Sequence, residues 1–290
     1  MKQFYRLLSW VPLPLLYGVA TLLAFALYRI VRYRRTVVAD NLAHAFPELD
    51  TAQRLKIERG IYRHLGDLAM ETLAGHGMSL DDFCRRVTFE NPEVLTRFKE
   101  QQQSLLLLTG HHCNWEWLSH VIGHLMGCPV DAVYKAMHNR HFDSVNYETR
   151  ARAGNPILFA EAGREILRRR REYRCFAMVA DQSPFKRDKR YWHQFLGRPA
   201  SFYLGPQRIA EVMQYPVVYV GMTKLRRGHY SVRFEILAEP PYEKGGTTIL
   251  ERYIAAVERS IRAQPETWMW SNRKWKHKPP ADWQENPVTE

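Results

Sequence analysis

The stretch that most constrains this chain is residues 105–117, LLLLTGHHCNWEW. Four leucines and a threonine lead straight into Gly110, His111 follows at once, and Glu116 comes five positions later. A short apolar run that stops at a glycine reads as a strand buried on both faces and leaving the core at its carboxyl end. In open α/β sheets, catalytic groups gather just beyond such strand ends. The turn after Gly110 is therefore where this fold would bring an imidazole and a carboxylate together. That pairing can act as a base and its orienting partner, activating a hydroxyl for attack on an activated carbonyl.

Spacing alone leaves the choice of histidine open. His111 and Glu116 are five apart, about 140° around a helix, and meet only if His111 lies in the turn with Glu116 on the helical turn behind it. His112 and Glu116 are four apart and would share a helical face. Periodicity favours His112; turn geometry favours His111. His138 and Asp143 repeat the spacing without a strand-to-glycine turn and read as a chance match.

The rest of the chain alternates strands and helices. Strands read over 104–109, 130–134, 175–180, 216–221 and 230–237, and helices near 114–126, 141–152, 163–173, 204–213 and 248–264. Before them, 37–73 reads as two amphipathic helices broken near Phe46 and Pro47, and Ser79 to Asp82 as a helix start. The expected fold is α/β, a mostly parallel central sheet flanked by helices. With 290 residues the chain can bury one sizeable core.

From Leu7 to Tyr28 no residue is charged, and Arg29, Arg32, Arg34 and Arg35 follow. That length suffices to cross a bilayer, and no small-residue cleavage site precedes the arginines. We divide the chain into an N-terminal membrane anchor with a basic flank, 1–35, and a catalytic domain, 36–290. The arginines would hold the flank on the cytoplasmic face. A helix lying in the membrane plane, with Trp10, Tyr17 and Tyr28 at the interface, is the other membrane-bound form; a buried hydrophobic hairpin is the soluble one.

The net charge of +12 favours polyanionic partners: anionic membrane, an acidic carrier protein or nucleic acid. Cys84, Cys113, Cys128 and Cys175 are scattered and read as reduced core thiols. Asp181 follows an apolar run and reads as a turn cap or a site residue, with Gln182 adding an amide donor. Arg150 and Arg152 close a helix before Gly154, as dipole partners or as anion ligands. Arg168 to Arg171 read as a solvated face or a lipid or carrier contact. Lys186, Arg187, Lys189 and Arg190 lie beside Asp181 and suit substrate phosphate recognition. Trp268, Trp270 and Trp275, interleaved with Arg273, Lys274, Lys276 and Lys278, suit a lipid interface or single-stranded nucleic acid.

GHHCNWEW resembles the Gly-His-x-x-Asn-Trp-Glu motif of the bacterial late lipid A acyltransferases, within the glycerolipid acyltransferase superfamily. The resemblance covers nearly the whole chain: Arg34-Arg35 with Asn41-Leu42 and Phe46-Pro47, Arg150 and Arg152 before Gly154, Ala180-Asp181-Gln182, 195–200 (FLGRPA) with Gly205-Pro206, and the tryptophan-rich block from Pro265 to Lys276. It implies a membrane-bound acyltransferase with His111 as base and Glu116 on its other ring nitrogen. It also implies substrate-binding roles for Arg150, Arg152, Asp181, Gln182 and Asn114. The donor would be acyl carrier protein bearing a fatty chain, and the acceptor a hydroxyl of a phosphorylated lipid A precursor at the cytoplasmic face of the inner membrane. No metal, no cofactor and no nucleic acid is expected. Tyr134-Lys135 and the sequence after Asp181-Gln182 depart from the commoner family pattern near the substrate region. Another lipid acceptor (an aminolipid or a phosphatidylinositol mannoside), with acyl-CoA as donor, is thus the alternative. A membrane-tethered nucleic-acid-binding protein is the alternative from another class.

Overall fold

In a computed structural model, the chain is described over residues 8–137, 139–185 and 188–284. The sequence begins with helix α1 (Leu13–Phe25), preceded by Pro12 and with Pro14 in its first turn, and continues through one π-turn to Ile30. Proline is tolerated there because first-turn N–H groups have no intrahelical acceptor. Helices α2 (Arg35–Ala45) and α3 (Thr51–Gly75) follow, separated by the break expected at Phe46 and Pro47. Asp50 and Gln53 close a capping box on α3, and Ser79 and Asp82 close another on α4 (Leu80–Arg86). Each box satisfies backbone donors that the first helical turn leaves open.

The α/β body starts at β1 (Val87–Phe89) and α5 (Glu93–Glu100). It continues with β2 (Leu105–Thr109), a short 3-10 turn (Trp115–Trp117), α6 (Leu118–Met126), β3 (Val130–Tyr134), α7 (Arg140–Arg150), β4 (Ile157–Leu158), α8 (Ala162–Arg168) and β5 (Cys175–Val179). A hairpin of β6 (Arg190–Phe195) and β7 (Arg198–Tyr203) precedes α9 (Gly205–Met213). Then come β8 (Val217–Arg226), β9 (His229–Ala238) and α10 (Thr248–Ala263). Seven strands form one sheet in the order β1-β9-β8-β2-β5-β3-β4, parallel throughout except where β8 meets β9.

Central strand β2 explains why its sequence is an unbroken apolar run. All five of its residues are buried, and alternate leucines serve different cores. Leu106 and Leu108 join the cluster that includes Tyr253 and Val257 of α10; Leu105 and Leu107 join the one under α4, α5 and α6. The expected α/β fold, with a largely parallel sheet between helical layers and an apolar N-terminal helix, is what the chain adopts.

Candidate active site

Thr109 on β2 stands level with Val179 on β5 in a parallel ladder. Two residues further, in the same register, the strands deliver His111 and Asp181 side by side. His111 Nδ1 lies 2.5 Å from Asp181 Oδ1, and the His111 backbone N–H donates to Asp181 Oδ2 at 2.9 Å. Trp268 Nε1 donates to that second oxygen at 2.7 Å. The Tyr253 hydroxyl ties the strand ends, donating to the Thr109 carbonyl at 2.8 Å and accepting from the Ala180 N–H at 3.2 Å. Asp181 is 1% exposed. Burial acts to raise its carboxyl, but the electrostatic pairing with His111 and the hydrogen bonds from His111 and Trp268 outweigh that and hold it down to about 2. A carboxylate so held favours the tautomer with the proton on Nδ1 and leaves Nε2 with a free lone pair. Gln182 Nε2 sits 3.1 Å from His111 Nε2, and Trp115 packs edge-on against the ring.

Glu116 is elsewhere. Its carboxylate forms a two-pronged ion pair with Arg150, Nε to Oε2 at 2.9 Å and Nη2 to Oε1 at 2.6 Å. The expected pairing of Glu116 with His111 is therefore not the contact made; the carboxylate on the imidazole is that of Asp181. The reason is register. Glu116 lies on the 3-10 turn behind His111, within reach of the end of α7, while the sheet sets Asp181 directly against Nδ1. Arg150 Nη1 is buried with no partner among the described residues.

Two expected substrate ligands have other duties. Asn114 is fully buried and donates to Glu71 Oε2 at 2.9 Å. Arg152 points to the end of α3, donating to the carbonyls of Gly75 and His76 at 3.4 Å and to that of Met78. His112, the choice periodicity favoured, is 4% exposed and lies by the Met222 carbonyl and the Thr267 hydroxyl; burial pushes it down to about 4. Burial also raises the Cys113 thiol to about 12, which suits space-filling and not nucleophilic work. The basic residues Lys186 and Arg187, and His138 of the chance match, lie outside the described residues.

His111, Trp115, Glu116, Arg150 and Gln182 line the mouth of a cavity of about 360 Å³. Its depth is apolar. Leu107, Ala132, Ala177, Leu118, Ile122 and Val220 line it from β2, β3, β5, α6 and β8. Ala132, Ala177 and Leu107 stand level on three adjacent strands, so two methyl groups occupy the row where larger side chains would fill the space. A deep hydrocarbon slot with a base and a few polar groups at its mouth suits a long acyl chain carrying a reactive carbonyl. A family model described as bacterial lipid A biosynthesis acyltransferase matches residues 2–277. The chain belongs to that family. No curated protein matches it.

This lipid A acyltransferase family member closes the loop after β2 with its C-terminal block. Cys113 N–H donates to the Thr267 carbonyl at 3.0 Å, Met269 N–H to the His111 carbonyl at 3.1 Å, and His112 bridges to Trp268 in the antiparallel sense. Trp268 and Trp270 are core residues, 2% and 0% exposed, and Lys274 is buried, donating to the Ser201 carbonyl at 2.8 Å. The expected interface of tryptophans and cations is thus largely interior, because these indoles pack behind the loop that carries His111. The arginine run is likewise engaged: Arg168 pairs with Glu165 at 2.8 Å, and Arg169 with buried Asp131 at 2.7 Å.

Residue-by-residue reading missed Trp268 as the second donor to Asp181. It also missed Glu71, which accepts from Asn114, Tyr17, Tyr230 and the Gly228 N–H. Burial raises the Glu71 carboxyl. A signal was present: Glu71 follows Leu68 and precedes Ala74 on the apolar face of α3, and a carboxylate there needs partners.

Proposed function

We propose that the protein transfers a fatty acyl chain from an acyl carrier protein thioester to a hydroxyl of a phosphorylated lipid A precursor, at the cytoplasmic face of the inner membrane. The observation that carries this reading is His111, oriented by Asp181, at the mouth of the apolar cavity. The acyl chain lies in the cavity with its thioester carbonyl at the mouth. The acceptor hydroxyl displaces the Gln182 amide from His111 Nε2, which takes the hydroxyl proton as the oxygen attacks the carbonyl. Asp181 keeps the ring in the required tautomer and stabilises the imidazolium that forms. Arg150, with a free N–H on Nη1 and held by Glu116, is the donor for the tetrahedral oxyanion. As the intermediate collapses, the C–S bond breaks, the imidazolium gives its proton to the departing thiolate, and the ester remains. No acyl-enzyme is required, since the acceptor is itself the nucleophile.

The test is acyl transfer in detergent micelles, with labelled acyl carrier protein thioesters, a lipid A precursor, and His111→Ala beside the wild type. Removing a general base costs about 10²–10⁴-fold in rate. Ester formation by the wild type and its loss in the variant support the assignment. Equal turnover by both sinks the role of His111; failure of well-folded wild type to acylate the precursor sinks the acceptor.

A further inference from the structure

Among the described residues, helix α1 and its extension to Ile30 form the one segment apolar and long enough to cross a membrane. Its contacts tie it to α3. It runs antiparallel along α3 for its whole described length. Near one end the Ser9 carbonyl packs so closely on Gly77 that a Cβ there would sit 2.7 Å away; mid-helix, a Cβ on Gly66 would sit 2.4 Å from the Ala20 carbonyl. Between these, the Tyr17 hydroxyl donates to Glu71 at 2.9 Å. At the far end the rings of Tyr28 and Tyr62 are 5.2 Å apart, and Arg35 Nε meets Glu58 at 2.7 Å. Whatever depth α1 occupies, residues 58–77, from α3 to just past its end, occupy beside it.

That stretch carries Arg59 and Arg63 on its exposed side and Asp67 bound to Lys224 and Arg227. Arg227 also donates to Thr21 of α1 at 3.1 Å. Charged side chains in a bilayer interior are costly and rare, and the β8 to β9 hairpin that holds this cluster would have to enter the hydrocarbon too. The opposite face of α1 is different. Leu15, Val19, Leu22, Phe25 and Ile30 are exposed at helical spacing, 51–72% each. Exposed Arg29, Arg32 and Arg34 stand at the carboxyl end of that stripe, Arg34 also donating from Nη1 to the Ser271 carbonyl at 2.9 Å.

We propose that α1 does not cross the membrane but lies in its plane as an interfacial helix, its outer stripe in the acyl chains of one leaflet and its arginines on anionic phosphates. A helix with one face docked on protein and the other apolar, flanked by cations, is built for that position. A lipid bilayer is the occupant that satisfies both parts: hydrocarbon for the stripe and phosphate for Arg29, Arg32 and Arg34. The inference rests on packing and charge and holds whichever lipid hydroxyl the enzyme acylates.

Depth measurement tests it. In a Cys84→Ser background, Leu15→Cys, Leu22→Cys and Ile30→Cys are each spin-labelled. The full-length proteins are then bound to vesicles of phosphatidylethanolamine and phosphatidylglycerol. Collisions with oxygen and with an aqueous nickel chelate give the depth of each label. An in-plane helix puts all three at one shallow depth, about 5–10 Å below the headgroups. A spanning helix spreads them, since seven residues rise about 10 Å along the axis; that result overturns the proposal. So does a protein that leaves all three labels in water, or one that shields them from both reagents in a dimer.

Discussion

His111 shows how far residue types and spacing carry, and where they stop. Strand and glycine were legible at 105–110, because an apolar run ending at glycine has few other readings; spacing left His111 and His112 open, and only the family resemblance made His111 legible. Its carboxylate partner was not. Glu116 is near in sequence, but Asp181 is near in space, 70 residues on, and only the β2 to β5 register puts it there. The two carboxylates should therefore respond differently to amide substitution. Asp181→Asn should lower kcat by about 10⁴-fold, the loss seen when a triad aspartate becomes asparagine and the tautomer inverts, with KM little moved. Its stability should drop by about 2 kcal/mol at neutral pH, since the carboxyl is held from 3.8 down to about 2. The sign follows from that depression: the wild type holds this contribution above pH ~4 and loses it as pH falls toward ~2, so the two proteins converge in acid. Glu116→Gln should instead leave Arg150 a buried cation without its carboxylate, costing about 3–5 kcal/mol of stability as broken buried pairs do. Acid-titrated melting temperatures and steady-state kinetics on both variants check the split. An Asp181→Asn enzyme with wild-type kcat would return the orienting role to Glu116.

At the scale of elements, periodicity located the main strands and helices to within a few residues, since each buries one stripe or one run. The β6 to β7 hairpin was missed because Arg190 to Gln194 are all half-buried and never alternate cleanly. The tryptophan block was misread because cations between indoles look the same in a core as at an interface; Lys274 is buried against the Ser201 carbonyl and the Phe202 ring. The cavity was invisible for a related reason. Its room comes from Ala132 and Ala177, small residues unremarkable on their own strands, that the ladder sets side by side. A leucine at either position would fill the slot proposed for the acyl chain. Ala177→Leu should shift donor preference toward shorter chains, with kcat/KM for the preferred length falling about fourfold for each methylene expelled, at about 0.8 kcal/mol per buried CH₂. A series of acyl carrier protein thioesters of stepped length measures the shift. An unchanged length profile would place the chain elsewhere.

For the molecule as a whole, the sequence displayed the net charge of +12 but not its placement. Several cations are committed to internal pairs: Arg169 and Arg174 to Asp131, Arg150 to Glu116, Lys224 to Asp67. Among the described residues, Lys135 and Lys276 are not. Both are exposed, and their ammonium groups flank the Phe185 ring at the cavity mouth, 4.2 Å and 5.7 Å from its centre. Burial and the charges of Lys135 and Arg190 lower the Lys276 ammonium, a mark of cations gathered with little acid to balance them. An acidic carrier approaching that mouth would be drawn by a field that salt screens, the Debye length falling from about 10 Å at 0.1 M to about 3 Å at 1 M. Steering of this kind changes association more than the chemical step. KM for the carrier-borne donor should therefore rise about tenfold or more between low salt and 0.5 M sodium chloride, with kcat nearly constant. The charge reversals Lys135→Glu and Lys276→Glu should reproduce part of that rise at low salt and flatten the remaining salt dependence. An acyl-pantetheine donor, lacking the protein's acidic surface, should show neither effect. If both donors respond alike, the lysines serve the phosphates of the acceptor and not the carrier.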